Sequence, residues 1–144
     1  MPFQSLNPAT GKLIESFATL SDDDVQTVIA RAQKAFESTW RKTPINQRAA
    51  AIARAAEIMR AKAEELAAHI VMEIGKRVAE ARVEVELVAS IFDYYAKNSE
   101  ANIKPRPVPD AQDAFLHVEP IGIILAIEPW SFPYYQALAS LRPS

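Results

Sequence analysis

The chain contains no cysteine, which excludes disulfides, thiolate metal ligands and any thiol nucleophile of its own. Glycine is nearly as scarce, with three in 144 residues, so a G-x-G-x-x-G phosphate loop is missing as well. Neither sign of charge dominates: 16 Lys and Arg against 18 Asp and Glu leave a net charge of −2. That balance provides no electrostatic footprint for nucleic acid or an anionic membrane surface, and neither is expected as a partner. The longest strongly apolar run, Ile121 to Ile127, falls far short of the roughly 18 residues a membrane helix needs. Met1 to Ala9 carry neither a basic start nor an apolar centre, so no secretory signal is read and a cytoplasmic protein is expected.

What is present is ordinary globular usage, 49% apolar and 24% charged, enough for one domain with a core. Asn7-Pro8-Ala9-Thr10-Gly11 is turn chemistry, and with Leu13 and Phe17 beyond it a hairpin or edge strand is expected. Ser21 followed by Asp22, Asp23 and Asp24 is a helix start. The apolar positions Val25, Val28, Ile29, Ala32, Phe36 and Trp40 then give that helix one face to bury. Pro44 ends it and opens a second helix, whose stripe runs through Ile52, Ala56, Met59 and Ile70 to a terminal Gly75. A break is expected near Ala61 to Ala63. Ala79, Val83, Leu87, Val88, Ile91 and Tyr95 mark a third helix, with Glu80, Arg82, Glu84 and Glu86 read as its solvated positions.

Lys104-Pro105-Arg106-Pro107-Val108-Pro109 forbids helix and favours an extended connector. Phe115 to Glu119 reads as a strand, and Ile121 to Ile127 as a strand apolar on both faces, the pattern of a covered parallel sheet. Glu128-Pro129-Trp130-Ser131-Phe132-Pro133 is then a loop, with Pro133 opening a last helix. Strand, loop and helix start in that order form the one segment laid out like a ligand site. The bland alternative makes Trp130 and Phe132 core aromatics that pin a turn. His69 and His117 stand without metal-ligand spacing and read as structural, so no metal site is expected. Glu57, Glu64, Glu65 and Glu73 read as a solvated helix face, and Glu73 with Lys76 as the finish of a helix.

Several of these motifs agree on one family. Asn7-Pro8-Ala9-Thr10-Gly11, Ala35-Phe36 with Trp40, Arg48, Glu73-Ile74-Gly75-Lys76 followed by Glu80-Ala81, and Pro120-Ile121-Gly122 running into Pro129-Trp130-Ser131-Phe132-Pro133 stand in the order and spacing of aldehyde dehydrogenases. The chain resembles the amino-terminal portion of that family, the succinate-semialdehyde dehydrogenase branch in particular. The resemblance implies an α/β parent fold, of which this chain is mostly α-helical with a short N-terminal hairpin and the first strands of a sheet. It makes residues 1–110 the helical part of the cofactor-binding domain, 111–119 an oligomerisation-arm strand, and 120–144 the incomplete start of the nucleotide-binding sheet. Ile127, Glu128, Pro129 and Trp130 are implied to line NAD or NADP near the nicotinamide.

The resemblance further implies oxidation of a small aldehyde such as succinate semialdehyde, and a homo-oligomer. Ser131 stands where the family has an Asn whose amide donates to the oxyanion, and a serine hydroxyl donates one bond from a shorter side chain. Arg77 replaces a proline usual after Gly-Lys, and residues after Gln136 depart from the family pattern. The family's nucleophilic Cys and general-base Glu are absent from this chain. By itself it is expected to be inactive and to hold no cofactor tightly. The alternative reading is a non-catalytic helical interaction module, or a truncated remnant, that self-associates.

Overall fold

The computed structural model describes residues 3–111 and 113–140, the side chains of 139 and 140 excepted. Strands β1 (Phe3–Leu6) and β2 (Leu13–Phe17) pair antiparallel, Phe3 opposite Phe17. Asn7 builds the turn between them. Its side-chain oxygen accepts from the backbone N–H groups of Ala9 and Thr10 at 2.9 and 3.2 Å, and its carbonyl accepts from Gly11, which sits at φ +67°. This is the Asx chemistry the sequence suggests, with glycine at the left-handed position.

Helix α1 (Asp22–Ser38) starts on a full capping box: Ser21 Oγ accepts from the Asp24 N–H, and the Asp24 carboxylate accepts from the Ser21 N–H. None of its residues is buried. The expectation of a covered face therefore fails in this chain: Val25, Val28 and Ile29 are 39%, 47% and 44% exposed, because no described element lies over them. A short 3₁₀ turn, Trp40–Lys42, leads to Pro44, which caps α2 (Ile45–Ala61) from just outside its first turn.

The α2 stripe breaks at Lys62, as the sequence suggests near 61–63, and resumes as α3 (Ala63–Ile74). Gly75 closes α3 in the left-handed conformation. Arg77 then caps α4 (Val78–Ile103) at φ −60°, the value a proline ring imposes, so the break survives without the proline. Helix α4, 26 residues long, is the beam against which α2, α3 and α5 (Pro133–Ser140) all pack. Ala67 and Ile70 of α3 meet Ala81 and Val85 of α4 in the core, with Met59, Leu66 and Tyr134 packed around them. Small residues at these crossings let the helix axes approach closely. Outside the core, Arg82 forks onto Glu64, and Arg60 onto Glu86 and Asp93. These pairs are exposed and align the helices more than they stabilise them.

The proline connector forms β3 (Arg106–Pro107), paired antiparallel with β4 (Phe115–Leu116). The strand expected over Phe115 to Glu119 is thus cut to two residues. The expected strand Ile121 to Ile127 is not formed: no described residue pairs with this segment. A strand exists only by ladder hydrogen bonds to a neighbour, and the described residues supply none there. Leu125 and Ile127 consequently stand 86% and 88% exposed.

Candidate functional site

The loop between the unpaired segment and α5 is held from below by a charge buried in α4. Glu84, expected on the solvated side, is instead among the most buried polar residues of the chain. Ala81, Glu84 and Val88 lie three and four residues apart, so Glu84 stands within the buried stripe. That spacing is the signal that was legible and was overridden by the residue's charge. An isolated buried carboxylate is prohibitively costly, so its partners decide whether the site can exist.

Glu84 has three donors. Lys76 Nζ lies 2.6 Å from its Oε2, and the pair's side chains are 10% and 1% exposed. The backbone N–H groups of Tyr134 and Tyr135 donate to Oε1 at 3.1 and 3.3 Å. These are first-turn amides of α5, which have no intrahelical acceptor. A carboxylate beneath a positive helix end is also favoured by the helix dipole. Lys76 Nζ sits 3.6 Å from the centre of the Phe132 ring, a cation–π contact. Phe132 in turn meets Tyr135 edge-on, with ring centres 6.5 Å apart. The Tyr134 hydroxyl is pushed above its ordinary value of 10.0, first by burial and then by Glu73, Glu84 and Glu65.

On this base the loop presents Ile127, Glu128, Pro129, Trp130 and Ser131, all exposed, with Trp130 at 73%. Neither Trp130 nor Phe132 is a core aromatic, since Phe132 is itself 46% exposed; the Phe132 ring holds the turn only through its contacts with Lys76 and Tyr135. The positive end of α5 is taken by Glu84, so a phosphate there would meet a carboxylate instead of open amides. The surface of Ile127, Pro129 and Trp130 is apolar and offers no cationic side chain to a pyrophosphate. Ser131 stands beside it as a hydroxyl donor.

Glu73 also departs from a purely solvated role, since its carboxylate accepts from Ser5 Oγ at 3.0 Å and ties β1 to α3. His69 and His117 are exposed. Among the described residues no three His, Cys, Asp or Glu side chains gather into a metal site, and no helix is long and apolar enough to cross a membrane.

A separate cleft of about 230 Å³ opens between α1, α2, α4 and residues 118–124. Phe36, Trp40 and Arg48, read as separate motifs along the sequence, converge on it with Phe92, Tyr95 and Ile121. Arg48 Nε and Ser99 Oγ are buried there without hydrogen-bond partners. None of Ile127 to Ser131 lines it.

A sequence model of the aldehyde dehydrogenase family matches residues 1–144, beyond Gln136, where a departure from the family was expected. The chain is 39% identical over 145 residues to a succinate-semialdehyde dehydrogenase [NADP(+)] of Deinococcus radiodurans, covering 99% of this chain and 30% of the relative. A Mycobacterium bovis protein of the same name, numbered 1, is 37% identical over 148 residues, covering all of this chain and 32% of its own length. The chain therefore spans about a third of the curated relatives it matches. Among solved structures, succinic semialdehyde dehydrogenase from Streptococcus pyogenes in complex with NADP+ superposes with a TM-score of 0.88 at 33% identity, over 94% of this chain and 30% of that one. An NAD-dependent aldehyde dehydrogenase from Sinorhizobium meliloti superposes at 0.84 with 28% identity, over 95% and 28%.

Proposed function

Because this chain belongs to the aldehyde dehydrogenase family, as its N-terminal portion, we propose that it forms the helical scaffold and one wall of the cofactor site of an enzyme that oxidises a small aldehyde with NAD(P)+. Succinate semialdehyde is the substrate favoured by the relatives' names. In this reading residues 1–110 are the helical part, 111–119 the arm strand of a homo-oligomer, and 120–144 the start of the nucleotide-binding sheet. Residues 141–144 lie outside the described residues.

The observation that carries the reading is the exposed run Ile127, Glu128, Pro129 and Trp130, held on a loop whose base is tied into the core. Bound there, the nicotinamide supplies the hydride acceptor. The chain's own contribution is to shield one face of that ring with Ile127, Pro129 and Trp130, and to offer the Ser131 hydroxyl to negative charge developing on the aldehyde oxygen. The nucleophile must come from outside these 144 residues, since acyl chemistry of this kind needs a thiolate and the chain has no cysteine.

Backbone amide shifts of the labelled chain, titrated with NADP+ and separately with NAD+ into the millimolar range, test the reading. Weak changes confined to residues 127–131 are expected; none there, or changes only around the Arg48 cleft, would refute it. The chain alone should form no NAD(P)H from succinate semialdehyde above a blank.

A second reading, a self-associating non-catalytic module, is favoured by a specific observation: Leu125 and Ile127 are almost fully exposed and Val25, Val28 and Ile29 of α1 are partly so. Full burial of an exposed Leu or Ile is worth on the order of 1.5–3 kcal/mol, and the α1 residues stand to gain a fraction of that. Light scattering separates the outcomes, since a module of this kind is a defined oligomer that Leu125→Lys with Ile127→Lys dissociates.

A further inference from the structure

We propose that Glu84 and Lys76 are positioning residues for the Trp130–Pro133 loop: through them the helical scaffold sets the first turn of α5, and with it the direction in which Trp130 and Ser131 point. The inference rests on the reading of this loop as a cofactor wall for its consequence, but its geometry stands without it. Glu84 spends one oxygen on the Tyr134 and Tyr135 amides and the other on Lys76. Lys76 follows Gly75 at the end of α3, Glu84 lies on α4, and the Phe132 ring is in the loop itself. Three separate elements thus converge on one buried charge pair.

A generic core contact would leave α5 free to slide or turn by a residue at little cost. Two amide hydrogen bonds to one carboxylate oxygen do not, because each has a narrow angular range. The Lys76 contact with the Phe132 ring fixes the loop on the other side of the same charge. Leu138 is buried and seats the far part of α5, so the carboxylate has only the first turn and the loop to determine. Beyond that first turn, Trp130 and Ser131 lie within five residues of the anchored amides.

The test is amide hydrogen exchange on the complete 144-residue chain, which reads the loop directly and does not depend on cofactor binding. In Glu84→Ala, protection at Tyr134 and Tyr135 should fall at least about tenfold more than protection at Ala67 and Ile70 in the core of α3. Glu84→Gln keeps an oxygen in the same place and should retain Tyr134 and Tyr135 protection to within about threefold of the parent, relative to the same core amides. An equal loss across all four amides in Glu84→Ala, or no loss at Tyr134 and Tyr135, overturns the proposal. So does a folded Glu84→Gln chain with those two amides open, or global unfolding of both variants, which would make Glu84 a scaffold residue. If the exchange pattern holds while the NADP+ titration fails, the positioning role stands and the cofactor reading falls.

Discussion

Gly75→Ala probes the junction on which the loop anchor depends. Gly75 ends α3 at φ +74°, and a Cβ built on it would lie 3.0 Å from Pro8 Cγ and 3.7 Å from Pro8 Cβ. The left-handed conformation costs an L-residue about 1–2 kcal/mol. The 3.0 Å approach adds a clash that the Asn7–Gly11 turn must relieve by shifting. The reduced freedom of alanine in the unfolded chain returns about 0.4–1 kcal/mol only where the native backbone suits it, which here it does not. A net loss of about 1–2 kcal/mol follows, equivalent for a chain of this size to a fall in melting temperature of about 3–10 °C. Circular dichroism at the helix band measures it. Pro8→Ala removes Cγ and leaves the remaining contact at ordinary distance, so a double-mutant cycle should show at least about 0.5 kcal/mol of coupling. An unchanged melting temperature in Gly75→Ala refutes the backbone argument; strictly additive effects refute the contact with Pro8.

Ser21→Ala removes the capping-box acceptor of α1 and should cost about 1 kcal/mol in urea unfolding, with Asp24→Ala close behind; because α1 is otherwise uncovered, its helical signal should be lost first. Ser99→Ala deletes a buried hydroxyl without a partner, so equilibrium unfolding should show a change between zero and about 1 kcal/mol in the stabilising direction; a loss of that size would mean the hydroxyl is satisfied in solution. The Glu64 carboxyl is held below its ordinary 4.5 by its hydrogen bond to Arg82. Its contribution is therefore complete above pH 4.5 and is lost as pH falls through the lower folded value. Glu64→Gln should flatten that part of the acid unfolding limb, and added salt should do the same.

The helices were legible because periodicity, caps and breaks agree: Ser21 with Asp24, the Lys62 interruption, and Gly75 each act through local backbone chemistry that needs no distant partner. The Trp130 loop was legible too, since prolines on both sides and an apolar run before it leave little choice. The strand over Ile121 to Ile127 was not, because a ladder is a property of two segments and the described residues place no second one beside it. Glu84 was misplaced for a related reason. Its helical position pointed inward and its charge outward, and what decided between them was Lys76 together with two amides fifty residues away. The convergence of Phe36, Trp40 and Arg48 on one cleft likewise depends on how α1, α2 and α4 cross, which no single stripe reveals.

The partners of Glu84 differ sharply in sequence separation, eight residues to Lys76 and 50 to Tyr134. Closing the longer loop costs about 1.6 kcal/mol more in chain entropy. During synthesis at about 5–20 residues per second, the interval between adding Glu84 and adding Tyr134 is about 2.5–10 s, while helices and hairpins form in well under a millisecond. On the ribosome, then, α3 and α4 can close on each other with lysine as the carboxylate's sole companion. The last helix arrives at a receptor whose negative charge is already in place.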